Sequence, residues 1–165
     1  MAEFIAKIVL WLFVINLGIA FGAGLYESWI VVPHWLSFTP ESGYRWDADA
    51  ARQANTGLRF WVYVTTVPLT VLTLASLVAA WWTPDVVRSW WLGAAAAALV
   101  DRVMTFAYFI PTMIALMRNE TFSESEAVAK ALQWTQLGYV RHAATLVAWL
   151  AALQAFALMS KYSNS

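Results

Sequence analysis

Four long apolar stretches, separated by short polar ones, dominate the chain: 4–32, 58–82, 90–117 and 137–159. Each is longer than the roughly 18 apolar residues that mark a membrane-spanning helix, because about 20 residues at about 1.5 Å per residue cross a hydrocarbon core of about 30 Å. The pattern predicts an all-α polytopic membrane protein, a bundle of four transmembrane helices that forms one domain over residues 1–165. The expected helices cover about 4–35, 57–82, 89–117 and 124–160. The first stretch is too long for the roughly 7–15-residue apolar core of a signal peptide, which favours a retained helix.

A capping motif marks the start of the fourth helix. Ser123 is followed three residues later by Glu126, and this Ser-x-x-Glu pattern lets the hydroxyl and the carboxylate accept hydrogen bonds from the first unpaired backbone amides. We therefore expect the helix to begin near Glu124, outside the membrane, and to continue into the last apolar stretch.

Tryptophan is frequent, with 11 residues, and it clusters where apolar stretches meet polar ones. Such positions are typical of the aromatic belts that anchor helices at the membrane–water interface. The residues expected in these belts are Trp29, Trp35, Trp46, Trp61, Trp81, Trp82, Trp90 and Trp91.

The composition supports the membrane class. Hydrophobic residues make up 61% of the chain and charged residues 12%, whereas soluble domains carry roughly 25% charged residues. We expect the partner that covers this apolar surface to be a lipid bilayer, and the location to be a bacterial inner membrane. The net charge of zero argues against nucleic-acid binding, which needs a concentrated basic surface. The absence of cysteine excludes disulfides, thiolate catalysis and cysteine-ligated metals.

Small residues form two faces that allow another helix to approach closely. Gly18, Gly22 and Gly24 lie on the first helix, and five alanines occupy 94–98 on the third. Packing within the bundle is the favoured interpretation, and a homo-oligomer or a larger membrane complex is the alternative.

Six ionisable side chains lie where apolar stretches should exclude them. A charged group inside a membrane costs on the order of 2.5–3.5 kcal/mol, so each needs a partner and suggests a function. The six are Glu27, His34, Asp101, Arg102, Arg141 and His142. Residues seven apart share a face of a regular helix. This spacing pairs Glu27 with His34, Asp101 with Tyr108, and Trp134 with Arg141.

Helix direction brings these faces to one half of the membrane. With four spans, loops one and three lie on the same side, and the spacing predicts a polar pocket that opens toward them. Asp101 and Arg102 form its floor. We expect Arg141 to pair with Glu27 or Asp101 and Arg102 to pair with the other carboxylate. Ion pairs that only fix helix register are the alternative to a functional site.

Metal or haem binding is a further alternative, although no cofactor is predicted. Glu27, His34, Asp101 and His142 are the available ligands, and two histidines with two carboxylates suit iron or zinc. No His-x-x-His or Glu-x-x-His spacing brings two of them onto one helical turn. Haem would need His34 and His142 as axial ligands.

Several short motifs resemble the small four-helix membrane proteins grouped as anthrone-oxygenase-like. They are Gly22-Ala-Gly24-Leu-Tyr-Glu27, Val32-Pro33-His34-Trp35, Tyr108-Phe-Ile-Pro111 and Trp134-x6-Arg141. The family pattern usually places Asn three residues before the arginine of the fourth helix, whereas this chain has Gly138 there.

The resemblance implies a cofactor-independent oxygenase that acts on an anthrone-like aromatic or another lipophilic small molecule. Such an enzyme needs a base to deprotonate the substrate and cations to stabilise the anion. The expected catalytic residues are Glu27, Arg102, Arg141 and His142. The expected substrate-binding residues are His34, Tyr108 and Trp134. A non-catalytic accessory subunit of a larger membrane complex is the alternative function.

Overall fold

The fold was analysed in a computed structural model, which describes residues 2–118 and 122–162. The α-helices are α1 (Ala2–Tyr26), α2 (Ala48–Ala54), α3 (Val67–Ala79), α4 (Asp85–Met104), α5 (Ile110–Leu116) and α6 (Glu124–Tyr162). Three segments are π-helical: Glu27–Val31, Gly57–Thr66 and Thr105–Phe109. Two short 3₁₀ turns cover Val32–His34 and Ala80–Trp82. The two strands are β1 (Leu36–Thr39) and β2 (Gly43–Trp46).

Four helical segments are long and apolar enough to cross a membrane, which confirms the predicted four-helix membrane bundle. We name them span one (Glu3–His34), span two (Gly57–Trp82), span three (Asp85–Leu116) and span four (Glu124–Tyr162). Span four begins at the predicted residue. The backbone N–H of Ser123 donates to the Glu126 carboxylate at 2.9 Å, and the N–H of Glu126 donates to the Ser123 hydroxyl at 3.4 Å.

The main core lies between α1, α3, α4 and α6: α6 packs against α4 and α1, and α3 packs against the same two helices. Ala94 and Ala98 are fully buried in it, and Ala95 is also fully buried. A Cβ atom at Gly18 would lie 3.1 Å from the Trp149 ring of span four. Both small-residue faces are therefore used inside the bundle, as the favoured interpretation predicts.

The tryptophans divide into two groups. Trp29, Trp81 and Trp82 are exposed, as residues of an interfacial belt should be. Trp91 is fully buried in the core and Trp35 is 3% exposed, so their assignment to the belt is wrong. Trp91 points from α4 into the bundle core. Trp35 lies in the turn before β1 and packs in a buried cluster with Ala51 and Phe109.

Prolines explain the π-helical segments. Each of the three ends two residues before a proline, at Pro33, Pro68 and Pro111. Proline has no N–H, so the carbonyl that would normally bond to it loses its partner and the helix widens locally. In span two the carbonyl of Val64, four residues before Pro68, instead accepts a bond from Nδ2 of Asn16 at 2.8 Å. Each π turn shifts the helical register, so spacings of seven residues no longer mark one face.

Loop one is folded rather than irregular. β1 and β2 form an antiparallel hairpin with Leu36 opposite Trp46 and Thr39 opposite Gly43, and α2 follows. We call residues 36–54 the cap. Its hydrogen bonds reach the end of span three: Trp46 Nε1 donates to the carbonyl of Leu116 at 3.0 Å, and Arg52 donates to that of Met117. The cap thus lies across the ends of the spans on the loop-one side.

Candidate functional site

A cavity of about 270 Å³ lies inside the bundle, in the half nearest loops one and three. All three π-helical segments contribute residues to its wall, so the cavity forms where the spans widen. Five ionisable side chains line it: Glu27, Asp101, Arg102, Arg141 and His142. The sequence therefore placed the polar pocket in the correct half of the bundle.

Glu27 is buried and is held by two neutral donors. Trp61 Nε1 donates to its Oε1 at 2.7 Å and the Thr56 hydroxyl donates to the same oxygen at 2.9 Å. The second carboxylate oxygen, Oε2, accepts no hydrogen bond from any described residue and is not completely buried. Because Glu27 lines the cavity, this oxygen is available to a ligand.

Asp101 and Arg102 pair with each other, although they are neighbours in the chain. Arg102 Nε donates to Asp101 Oδ2 at 3.0 Å, and Nη2 donates to the same oxygen. Asp101 Oδ1 and Arg102 Nη1 are completely buried and have no partner among the described residues. This pair satisfies one of the two expected combinations of charges and leaves two unused polar atoms near the cavity floor.

Arg141 differs from the other charged side chains of the cavity, because its contacts are with aromatic rings. Its guanidinium lies 4.3 Å from the centre of the Phe109 ring and 5.9 Å from that of Trp61. It makes no hydrogen bond or ion pair with any residue in 2–118 or 122–162. The expected pairing of Arg141 with Glu27 or Asp101 is therefore absent. Asp101 pairs with Arg102 instead, and Glu27 accepts hydrogen bonds from Trp61 and Thr56.

His142 bridges spans one and four. Its Nε2 lies 2.9 Å from the Ser28 hydroxyl. Its ring packs directly on Gly24, where a Cβ atom would approach the ring carbon Cε1 to 2.5 Å and Nδ1 to 2.7 Å. Only a glycine leaves room for the ring at this point, so the helix contact fixes the position of the imidazole.

The three expected substrate-binding residues differ in their positions. Trp134 lines the cavity and donates from Nε1 to the carbonyl of Phe109 at 3.1 Å. His34 is exposed and lies outside the cavity wall, because the π and 3₁₀ turns after Tyr26 rotate it away from the face of Glu27. Tyr108 also lies outside the wall, since the π turn of span three presents Phe109 instead.

Sequence reasoning missed three residues of the site: Thr56, Trp61 and Phe109. Trp61 was assigned to the interfacial belt, but its indole holds Glu27. Phe109 carries the guanidinium of Arg141. Pro68 and Pro111 were the available signals, because a proline inside an apolar span indicates a local change of helical register.

The four residues considered as metal or haem ligands do not lie close together. Within the described part of the chain, no three histidine, aspartate or glutamate side chains are close enough together to hold a metal ion. His34 is exposed at the end of span one, whereas His142 is buried in the cavity wall. The two histidines therefore do not face a common haem site.

No protein-family model, curated protein or solved structure matches the chain. The fold and the cavity define its class: it is an integral membrane protein, a four-helix bundle with an internal cavity lined by ionisable side chains.

Proposed function

We propose that the protein is a membrane enzyme that oxidises an anthrone-like aromatic, or a related lipophilic molecule, with dioxygen and without a cofactor. One observation carries the proposal. Arg141 and Glu27 line the same cavity; among the described residues, the Arg141 guanidinium has no hydrogen-bond acceptor and Glu27 Oε2 has no donor. A ligand that accepts hydrogen bonds at one end and carries an acidic C–H at the other complements both groups.

The cavity has the size and the walls for a small aromatic ligand. Its volume of about 270 Å³ is close to the lower end of the roughly 300–1,000 Å³ that small-molecule pockets usually have. Trp61, Phe109 and Trp134 supply aromatic surfaces, and such rings pack favourably on a flat polycyclic molecule in offset or edge-to-face arrangements.

The proposed reaction begins at the methylene carbon of the anthrone. Glu27 Oε2 accepts one of its protons, and the negative charge that forms is delocalised onto the carbonyl oxygen at the opposite end of the central ring. Arg141 donates hydrogen bonds to that oxygen, and such charge-assisted bonds are strong where water is excluded. Arg141 and Glu27 form no ion pair with each other, so in this proposal both groups act on the substrate.

Dioxygen then reacts with the carbanion and forms a peroxide at the former methylene carbon. Loss of the second proton from this carbon breaks the O–O bond, so that one oxygen stays as a new carbonyl and the other leaves as water. The balance is one methylene group and one O₂ converted into one carbonyl and one water. The methylene carbon loses four electrons and dioxygen gains them, so no further reductant is required.

The remaining charged residues have supporting roles in this proposal. Arg102 donates hydrogen bonds to Asp101. In this proposal it contributes to the electrostatic field at the cavity floor and does not bind the substrate directly. His142 is the alternative base, but Nε2 is engaged with Ser28 and its ring is pressed against Gly24. Glu27 therefore suits the role of base better. We place the protein in a bacterial inner membrane, where helical spans are the usual architecture.

The test is turnover by the purified protein in lipid nanodiscs with a dihydroxyanthrone. We expect one O₂ consumed per anthraquinone formed, above the rate of spontaneous oxidation. Glu27→Gln removes the base and should lower the rate by about a hundredfold or more. Arg141→Met should lower it as well. Arg59→Met is the matched control, because Arg59 is exposed and lies outside the cavity wall.

Equal rates for the parent, Glu27→Gln and Arg141→Met would overturn the proposal. Absence of turnover combined with co-purification of larger membrane proteins would instead support the accessory-subunit function.

A further inference from the structure

The cap closes the cavity on the side of loops one and three. Trp35, Ala51 and Asn55, from the cap and its borders, line the cavity from this side. Ala51 is 1% exposed and Trp35 is 3% exposed. Arg52 of α2 also donates to the carbonyl of Met117 at the end of span three. These contacts hold α2 across the top of the cavity.

The opening lies at the side, between spans two and three. These spans pack against each other along α3 and α4. Their other halves, Gly57–Thr66 and Ile110–Leu116, are not closely packed neighbours, although both line the cavity. The spans therefore diverge toward the cap and leave a window beneath α2.

Apolar side chains exposed at the surface of the bundle border the window. Leu58 of span two and Ile114 of span three belong to the cavity wall, yet they are 61% and 44% exposed. Both side chains are apolar and both lie within helices long and apolar enough to span the membrane. Exposed apolar side chains on a helix that spans a membrane are expected to face the lipid bilayer.

We propose that the cavity takes up its ligand sideways from the bilayer, through the window between Leu58 and Ile114. The ligand class is then an uncharged molecule dissolved in the lipid phase, which meets charged groups only after it has passed this window. The identity of the ligand as an anthrone rests on the proposed function, whereas the route does not. A charged, water-soluble molecule of the same size does not enter.

A single cysteine tests the route without any turnover. The chain has no cysteine, so Thr105→Cys introduces the only thiol. Thr105 lines the cavity and is 4% exposed. The protein in lipid vesicles is treated with N-ethylmaleimide, which is neutral and partitions into lipid, and separately with an anionic methanethiosulfonate of similar size. Mass spectrometry measures the rate of labelling. We expect the neutral reagent to label the thiol and the anionic reagent not to.

Blocking the window provides the second arm. Ile114→Trp, in the Thr105→Cys background, should slow labelling by the neutral reagent at least about tenfold, which corresponds to roughly 1.4 kcal/mol of added barrier. Val103→Trp is the matched control: Val103 lies on the same span and is 59% exposed, but is not in the cavity wall. It should change the labelling rate by less than about twofold, which corresponds to a much smaller added barrier. Leu58→Trp blocks from the opposite side and replaces Ile114→Trp if the latter does not fold.

Three results would overturn the route. They are labelling by the anionic reagent as fast as by the neutral one, failure of both reagents to label, and an unchanged rate in a folded window-blocking variant. If the labelling pattern is as expected but no anthrone is oxidised, the route stands and the proposed function fails.

Discussion

The two arginines of the cavity should respond in opposite ways when their charge is removed. Arg141→Met eliminates a guanidinium that has no partner among the described residues. An arginine inside a membrane helix costs on the order of 2.5–3.5 kcal/mol, and we use the lower value because Arg141 lies on the cap side of the middle of its span. The contact with Phe109 at 4.3 Å returns about 0.5–2 kcal/mol. The balance predicts that Arg141→Met stabilises the fold by about 1 kcal/mol.

Arg102→Met should have the reverse effect. It removes the only partner of the Asp101 carboxylate among the described residues, and Asp101 is 1% exposed. Breaking a buried pair from one side typically costs about 3–5 kcal/mol, because the remaining charge stays buried. The two variants carry the same substitution in the same cavity, so each serves as the control for the other.

Thermal unfolding of the purified proteins in one detergent measures this contrast. A gain of about 1 kcal/mol raises the midpoint by roughly 2–4 °C in a chain of this length, and Arg102→Met should lower it by several times that amount. The reasoning is refuted if Arg141→Met destabilises the protein as much as Arg102→Met does. That result would mean that Arg141 is part of the structural charge network.

Two further predictions concern the contacts between spans. Gly24→Ala should displace the His142 ring, whose nearest atom would lie 2.5 Å from the new methyl group, at a cost of about 1–3 kcal/mol. Gly22→Ala is the control, because its methyl group meets nothing within 4 Å, and it should leave stability and turnover unchanged. Equal effects of the two substitutions would contradict the packing described. Asn16→Leu should lower stability by about 1–3 kcal/mol, because it leaves the carbonyl of Val64 without a donor. An unchanged unfolding midpoint for Asn16→Leu would show that this carbonyl finds another partner.

The local parts of the fold were predictable from the sequence. The four spans follow from the length of apolar stretches, and the start of span four follows from Ser123 and Glu126, which are three residues apart. These features depend on neighbours in the chain and on the thickness of a bilayer. The cap was predicted only as a polar loop. Its folding depends on contacts of Trp46 and Arg52 with the distant end of span three.

The site was predictable as a location but not as a set of contacts. The excess of ionisable residues in apolar segments identified Glu27, Asp101, Arg141 and their neighbours, and all but His34 line one cavity. Their partners depend on helical register, which the π turns before prolines shift. Straight-helix spacing therefore placed Tyr108 and not Phe109 in the wall. It also paired Arg141 with a carboxylate, whereas Glu27 is held by an indole and a hydroxyl.

The central claim is that Arg141, which has no hydrogen-bond acceptor among the described residues, binds an anionic or strongly accepting oxygen of a lipophilic ligand. The most direct test is the equilibrium binding of a dihydroxyanthraquinone, the product of the proposed reaction, to the protein in nanodiscs. Hydrogen bonds to a charged group contribute about 1.5–3 kcal/mol, so Arg141→Met should weaken binding roughly ten- to a hundredfold, while Arg59→Met should bind as the parent does. Equal affinities for the parent and Arg141→Met would contradict the account.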